Sequence, residues 1–155
     1  MTGTTKLTGK AETARNLTHA VRDLLLAYKG RLEEAVRPHG LTLPQLRMLH
    51  AVSEQNEVSA AAIARLCHVT PQTLQAILAR AVREGWIVRG TTQRNHRILT
   101  ASLTPKGLSL LEIGQRAASE IETGMWSGVP RTTLEQVIQV LQQGAAAVHG
   151  SRGKV

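Results

Sequence analysis

The sequence predicts a mainly α-helical protein: a winged helix-turn-helix domain with a two-stranded β-wing, flanked by N- and C-terminal dimerisation helices. Three observations support this fold class. Apolar residues recur at steps of three and four over most of the 155-residue chain, which is the period of amphipathic helices. Two of these helices are short, and only a three-residue break separates them. Directly after them, residues 86–103 change to the pattern of a β-hairpin.

Helix start and stop signals divide the chain into segments. Residues 1–10 are rich in Thr and Gly and are expected to form a disordered tail. Residues 11–40 and 105–150 are expected to form a helical dimerisation region, and residues 41–104 the winged helix-turn-helix domain. Pro38 and Gly40 end the first long helix, and Gly128 with Pro130 separates the last two.

The helices of the middle segment begin at side-chain caps. Thr42-x-x-Gln45 is a capping box, in which the hydroxyl and the amide satisfy backbone amides of the first turn. Ser59 is expected to cap the third helix. Thr70-Pro71 and Thr104-Pro105 each place a threonine cap before a proline that has no amide to leave unpaired, so they begin the fourth and fifth helices.

The two short helices can cross closely because Ala64 is small and its neighbours are apolar. His68 stands in the turn at a position where glycine with a positive φ is common, and histidine tolerates that conformation better than branched residues do. The side chains expected to face inward here are Ile63, Leu66, Cys67, Val69, Leu74, Ile77, Leu78 and Ala81. Those of the preceding helix are Leu43, Leu46, Leu49 and Val52.

The positive charge of the chain is concentrated in this segment. The chain has 19 Lys and Arg against 11 Asp and Glu, and residues 60–106 hold seven of the basic residues with one acid, Glu84. Such a surplus attracts polyanions, nucleic acid first and an acidic membrane surface second. Aromatic residues make up 2% of the chain, which is too few for the stacking platforms that read single strands.

Several other classes are disfavoured. No apolar run approaches the roughly 20 residues of a membrane span, nothing resembles an export signal, and one cysteine cannot form an intrachain disulfide, so we expect a cytoplasmic protein. The histidines lack zinc-ligand spacing, and Glu33-Glu34 is interpreted as a solvated helix face. Without a phosphate loop or a nucleophile elbow, we expect neither catalysis nor a cofactor or metal.

The fourth helix is expected to read duplex DNA. Its outward N-terminal half is short, neutral and able to form hydrogen bonds, which suits the floor of a major groove: glutamine pairs with adenine, and an Ala or Thr methyl contacts the thymine methyl. The expected contacts there are Thr70, Gln72, Thr73, Gln75 and Ala76. Arg65, Arg80 and Arg83 are expected on phosphates, and Arg94 and Arg97 at the wing tip, where guanidinium groups suit a minor groove.

Residues 41–107 resemble the MarR (multiple antibiotic resistance regulator) family of bacterial transcription factors. The resemblance lies in residues 41–46 (LTLPQL), 63–66 (IARL), 69–74 (VTPQTL), 83–89 (REGWIVR) and 103–107 (LTPKG). It implies a triangular homodimer in which terminal helices form the interface and two winged domains read a pseudo-palindromic operator. It also implies a repressor, in many relatives released from DNA by small phenolic or other aromatic ligands and in some by oxidation.

The wing departs from the family pattern. Relatives usually carry Asp-x-Arg before the second wing strand, and this chain has Asn95-His96-Arg97. The arginine that the resemblance places in the minor groove is kept at Arg97. The aspartate that commonly holds it by a salt bridge is replaced by a neutral amide, which predicts a less rigid wing.

The terminal helices favour a dimer on independent grounds. Their apolar faces are too extensive for a small winged domain to cover, so a second copy is expected to cover them. A folded-back monomeric bundle is the alternative. A two-fold dimer would place its two recognition helices about one turn of DNA apart and would read a palindromic site.

The control of DNA binding leaves alternatives open. Relatives bind effectors between the first, second and fifth helices, where His19, Arg22, Arg47 and His50 are candidate anchors for a small aromatic or carboxylate ligand. A redox-responsive regulator that uses Cys67 is an alternative, although an inward position favours a buried structural thiol.

The function that these observations predict is a sequence-specific, double-stranded DNA-binding repressor of a nearby promoter, released by a small-molecule ligand. A non-specific architectural nucleic-acid-binding protein would explain the same charge. A winged module that binds protein and has lost DNA contact is a second alternative, which the neutral face of the recognition helix and the missing wing aspartate allow. Tighter binding to an operator than to bulk DNA would distinguish the sequence-specific repressor from both alternatives.

Overall fold

The computed structural model describes residues 3–54, 57–91 and 98–150. Along these residues the elements are α1 (Gly3–Val36), α2 (Leu43–Glu54), β1 (Glu57–Ser59), α3 (Ala60–Cys67), α4 (Pro71–Arg83), β2 (Ile87–Thr91), β3 (Ile98–Leu103), α5 (Pro105–Trp126) and α6 (Arg131–Gly150). A short 3-10 helix, Arg37–His39, connects α1 to α2. The chain divides into two compact units, Met1–Ile121 and Glu122–Val155. The elements are those of the mainly α, winged helix-turn-helix fold that the sequence predicts.

The first helix differs from the prediction at its N-terminal end. It begins at Gly3, so residues 3–10, expected as a disordered tail, are helical. At its other end Pro38 lies in the first turn of the 3-10 helix, and Gly40 adopts the left-handed conformation with φ of 73°, which glycine reaches without a steric penalty. The end predicted at Pro38 and Gly40 is therefore confirmed.

The sheet contains the predicted hairpin and one strand that the sequence did not predict. β2 and β3 pair antiparallel from Ile87↔Leu103 to Thr91↔Leu99. β1 pairs antiparallel with the other edge of β3, which gives three strands in the order β1-β3-β2. The predicted two-stranded wing, β2 with β3, is confirmed, and it lies within a three-stranded sheet. The predicted turn at its tip falls in residues 92–97, outside the described residues.

The hydrophobic core lies in the unit Met1–Ile121. Its largest fully buried side chains are Val36, Leu41, Met48, Leu49, Ile63, Cys67, Leu74 and Leu78. α4 buries Leu74, Ile77, Leu78 and Ala81, as predicted. The prediction for Leu66 is wrong, because this side chain is 54% exposed. Leu43 and Leu46 are only partly buried.

The beginning of α5 packs against the turn between α4 and β2. Thr104 Oγ1 donates to the Gly85 carbonyl at 2.6 Å and accepts from the Gly107 amide at 3.1 Å. Lys106 Nζ donates to the Glu84 carbonyl at 2.9 Å. A Cβ atom on Gly107 would overlap the backbone carbonyl of Trp86, so this approach requires glycine.

The terminal helices keep large apolar side chains exposed. On α1 these are Leu17, Val21, Leu24, Leu25 and Leu26, and on α6 they are Val137, Ile138, Val140, Leu141 and Val148. α6 contains no buried residue. Despite these apolar faces, none of the helices within the described ranges is long and apolar enough to cross a bilayer.

Candidate nucleic-acid interface

The turn between α3 and α4 is fixed by caps on both sides. Ser59 Oγ accepts a hydrogen bond from the Ala62 amide at 3.1 Å, which caps the start of α3. At its end His68 is left-handed with φ of 54°, and its amide bonds to the Ala64 and Arg65 carbonyls. The sequence predicts this turn position for His68, so the helix-turn-helix geometry is confirmed.

Thr70 fixes the first turn of α4. Its Oγ1 accepts from the Thr73 amide at 3.1 Å, and the two threonine hydroxyls lie 2.9 Å apart. Pro71 follows the cap inside the first turn. The Thr70 hydroxyl is therefore used within the protein, where it closes the helix end and orients the hydroxyl of Thr73.

The predicted base-reading side chains share one exposed face of α4. Gln72, Thr73, Gln75 and Ala76 are all exposed, because the four apolar residues between and after them turn into the core. Residues 70–79 contain no charged residue. This face therefore offers two amides, one hydroxyl and a methyl group at the N-terminal half of the helix.

The predicted phosphate contacts differ in their surroundings. Arg65 and Arg83 are exposed on α3 and α4. Arg80 is partly buried: its Nη2 donates to the Gly40 carbonyl at 3.1 Å, and its guanidinium carbon lies 5.4 Å from the centroid of the Trp86 ring. Lys106, which counts toward the same basic segment, contacts the α4–β2 turn. The sequence predicts none of these contacts; the hydrogen bonds of Arg80 and Lys106 join residues 40 and 22 positions apart.

The wing contributes one further exposed arginine. Arg89 lies on β2, opposite Ala101 of β3, and is exposed. It belongs to the basic segment, but its sequence context predicts no specific role. Arg94 and Arg97 fall in residues 92–97, outside the described residues, so their contacts stay predictions.

The junction between α1 and α2 holds a cap that sequence reasoning missed. Glu33 Oε2 accepts from the Leu43 amide at 3.2 Å, and Gln45 Oε1 accepts from the Thr42 amide at 3.0 Å. The second bond is half of the predicted capping box. The first corrects the interpretation of Glu33 as solvated, because its carboxylate lies at the positive end of α2.

Cys67 is a buried thiol, as expected from its inward position. Its side chain is 1% exposed, and burial raises the pKa of the Cys67 thiol, with the charge of Arg47 acting in the opposite direction. A raised pKa leaves little of the reactive thiolate at neutral pH. Within residues 3–54, 57–91 and 98–150, no cluster of three His, Cys, Asp or Glu side chains could hold a metal ion.

The four candidate effector anchors form separate local contacts. Arg22 and His19 lie on α1, with Nη2 and Nδ1 3.2 Å apart, and Arg22 also pairs with Asp23 at 3.3 Å. On α2, the His50 ring lies 3.7 Å from the Glu54 carboxylate. The charge of Arg47, on the same helix, acts to lower the pKa of the buried Cys67 thiol. Their joint role in binding a ligand stays a prediction.

Known proteins resemble the winged domain in sequence and most of the chain in fold. Residues 39–98 match the sequence model described as MarR family. This match spans most of the predicted winged domain, residues 41–104. The HTH-type transcriptional repressor Rv2887 of Mycobacterium tuberculosis is 36% identical over 76 residues, which are 49% of this chain and 55% of that repressor. The chain thus spans about half the length of the curated relatives it matches.

Solved structures extend the likeness to nearly the whole fold. The MarR family transcription regulator SP03579 has a TM-score of 0.85 at 19% identity, over 97% of this chain and 99% of that one. Rv2887 in complex with salicylic acid has a TM-score of 0.65 at 23% identity, over 82% of this chain and 94% of that one. A mutant MarR from E. coli complexed with operator DNA has a TM-score of 0.69 at 16% identity, over 83% of this chain and 92% of that one. These MarR-family likenesses show the predicted fold, with helices on both sides of the winged domain.

Proposed function

We propose that this protein is a sequence-specific, duplex-DNA-binding transcriptional regulator that represses a nearby promoter. The observation that carries the proposal is the exposed, uncharged face of α4, held by the Thr70 cap. Exposed arginines on α3, α4 and β2 accompany that face in the same unit. The proposed activity is binding and not catalysis, and it takes place in the cytoplasm.

In this proposal α4 lies in the major groove. Gln72 and Gln75 suit adenine, whose N6 amino group donates to the glutamine Oε1 and whose N7 accepts from Nε2, and the methyl groups of Thr73 and Ala76 suit thymine. Arginine or lysine paired to guanine is the commonest specific contact in a major groove, and residues 70–79 contain neither. We therefore expect each half-site to be read at A·T pairs.

The surrounding cations supply affinity. Arg65 and Arg83 neutralise phosphates beside the groove, which strengthens binding to all duplexes alike. Arg94 and Arg97 at the wing tip enter the neighbouring minor groove. Unchanged affinity after Arg94→Ala and Arg97→Ala together would show that the wing makes no contact.

A second copy of the chain completes the proposal. Residues 11–40 and 105–150 form the dimerisation region, and residues 41–104 form the winged DNA-binding domain. The apolar side chains exposed on α1 and on α6 support this, because a soluble monomer rarely leaves such faces uncovered. The two-fold axis would then relate two α4 helices and their half-sites.

Relatives support both a DNA partner and an effector. The curated relatives are named transcriptional repressors, the E. coli relative was solved with operator DNA, and Rv2887 with salicylic acid. We propose a small aromatic or carboxylate effector for this chain, anchored by His19, Arg22, Arg47 and His50. Calorimetry with salicylate that gives no heat and no release from DNA would contradict the effector and leave DNA binding standing.

The decisive experiment selects bound fragments from the protein's own genome. We expect a small set of promoter fragments with a pseudo-palindromic, A·T-centred site, bound at least about 10³-fold more tightly than bulk duplex. Equal affinity for all sequences with a steep dependence on salt would instead indicate an architectural protein. No affinity for DNA would contradict the proposal altogether.

A further inference from the structure

Arg80 stands apart from the other basic residues of the interface. It is the first charged residue of α4, yet its guanidinium group lies against the protein. Nη2 donates to the Gly40 carbonyl at 3.1 Å, and the guanidinium carbon lies 5.4 Å from the centre of the Trp86 ring. We call these three residues the Arg80 link.

We infer that Arg80 is a positioning residue, which fastens α4 to the junction of α1 and α2 and so sets the angle of the base-reading face. The inference rests on the proposed function and replaces the expectation that Arg80 neutralises a phosphate. The Arg80 link joins positions forty residues apart, and all three of its residues lie within the unit Met1–Ile121.

Both partners of Arg80 are held by backbone hydrogen bonds. Gly40 is held in its left-handed conformation, with its amide bonded to the Arg37 carbonyl at 2.9 Å. Trp86 is buried, and its amide donates to the Ala81 carbonyl at 2.7 Å. The bond to Gly40 therefore ties α4 to the junction of α1 and α2, and the Trp86 ring, whose backbone is bonded to the end of α4, holds the guanidinium group in place.

The chemistry of the Arg80 link requires arginine. A guanidinium group can donate a directed hydrogen bond and face an aromatic ring at the same time, whereas an ammonium group is a point charge that does not reproduce this geometry. Arg80→Lys therefore keeps the charge and removes the link. Arg80→Gln removes both.

Release of α4 should lower discrimination between sequences more than general attraction to DNA. Base contacts depend on the angle of the helix in the groove, whereas attraction to phosphates depends on charge near the duplex. A displaced α4 thus loses operator affinity and keeps its affinity for bulk DNA. A lost phosphate contact has a different effect. It weakens binding to the operator and to bulk DNA alike, and it makes both affinities less dependent on salt.

The test compares Arg80→Gln and Arg80→Lys with Arg83→Gln, an exposed arginine three positions along α4. We expect both Arg80 variants to lower the ratio of operator to bulk-DNA affinity by about tenfold, the effect of losing one good contact. The slope of log affinity against log salt should stay at the wild-type value. Arg83→Gln should keep the ratio and reduce the slope by about two, one phosphate for each subunit of a dimer.

Hydrogen exchange provides a second readout that needs no DNA. The backbone amides of residues 37 and 39–42 should exchange faster in both Arg80 variants than in the wild type, and at the wild-type rate in Arg83→Gln. Wild-type exchange in Arg80→Lys would overturn the inference. Faster exchange would uphold the link even if the wild type failed to discriminate an operator, an outcome that would contradict the proposed function alone.

Two further outcomes would overturn the inference. A salt slope that falls in Arg80→Gln by as much as in Arg83→Gln would make Arg80 a phosphate contact. A wild-type affinity ratio in Arg80→Lys would show that the charge suffices. If Arg80→Gln fails to unfold cooperatively in urea, the comparison of Arg80→Lys with the wild type decides, since that variant retains the charge.

Discussion

The winged domain and the terminal helices use similar apolar periodicity with opposite results. In the winged domain, Ile63, Leu74 and Leu78 are fully buried, and side-chain caps close the helix ends around them. On α6, Ile138 is 51% and Val148 is 65% exposed, and on α1 Leu26 is 60% exposed.

This difference separates two sources of stability. Burial of apolar surface contributes about 25 cal/mol per Å², and the winged domain obtains it within one chain. The terminal helices leave much of their apolar surface exposed, so it contributes to stability only when another surface covers it. We therefore expect the winged domain to be stabilised by the core that it shares with Leu32, Val36 and Leu111, and the exposed faces of α1 and α6 by a second copy.

The largest effect is expected from charges on the exposed face of α6. Ile138→Asp combined with Leu141→Asp should weaken dimerisation by at least about a hundredfold, because an unpaired carboxylate in an apolar interface costs several kcal/mol. Operator affinity should fall with it, because a monomer offers one recognition helix. Sedimentation equilibrium and DNA titration measure the two losses.

The matched control places the same charges on polar positions of the same helix. Gln139 and Gln142 are exposed neighbours of the apolar pair, so Gln139→Asp with Gln142→Asp should leave the oligomeric state unchanged. A dimer that survives the first pair of substitutions would place the interface elsewhere and remove the contrast between the two regions.

The second prediction tests the close packing inside the first unit. Gly107→Ala should destabilise the protein by about 2–4 kcal/mol, because its Cβ would overlap the Trp86 carbonyl and backbone must move. Urea unfolding measures the change. On the same helix Gly124 has no atom within 4 Å of its would-be Cβ, so Gly124→Ala should be neutral or stabilising by up to about 1 kcal/mol. Equal effects of the two substitutions would contradict the close approach.

Local rules explain what the sequence predicted correctly. The Thr70 cap, the proline after it and the inward positions of α4 all depend on residues within one or two helical turns, and the structure has each of them. His68 follows from the same kind of rule, since only a few residue types tolerate the left-handed turn.

Features that join distant residues escaped sequence reasoning. The periodicity of α3 placed Leu66 inward, but an eight-residue helix that packs on one side leaves one apolar position exposed. β1 is three residues long, too short for an alternating pattern to be visible. Arg80 and Glu33 each contact backbone in another element, and charge in the sequence does not reveal whether a side chain faces solvent or a carbonyl.

The third prediction concerns base preference within the winged domain. Gln75→Ala should relax preference at one base pair of each half-site by about 1–3 kcal/mol and leave affinity for bulk duplex almost unchanged. A panel of operators with single base changes measures this. Gln115→Ala, an exposed glutamine on α5, should change neither quantity. A uniform loss of affinity across the panel in Gln75→Ala would show that Gln75 contacts the backbone of DNA.

The smallest effect is expected at Cys67, where burial in the winged core argues against redox control. Exposure of the protein to hydrogen peroxide should change operator affinity by less than about twofold, because the buried thiol remains protonated and a thiol reacts poorly. Cys67→Ala should show the same change of operator affinity on exposure to peroxide. Any small change seen in both proteins would then come from the oxidation of other residues.

The raised pKa of Cys67 also fixes the direction of a pH effect. At neutral pH the thiol is protonated in both the folded and the unfolded chain, so it contributes no pH dependence there. Above the ordinary pKa of cysteine the unfolded chain loses this proton first, so the free energy of unfolding declines with rising pH. Urea unfolding of the wild type and Cys67→Ala from neutral pH to alkaline pH should show that extra decline in the wild type alone. An equal decline in both, together with fast alkylation of the folded protein, would mean that the thiol is accessible and would reopen the redox alternative.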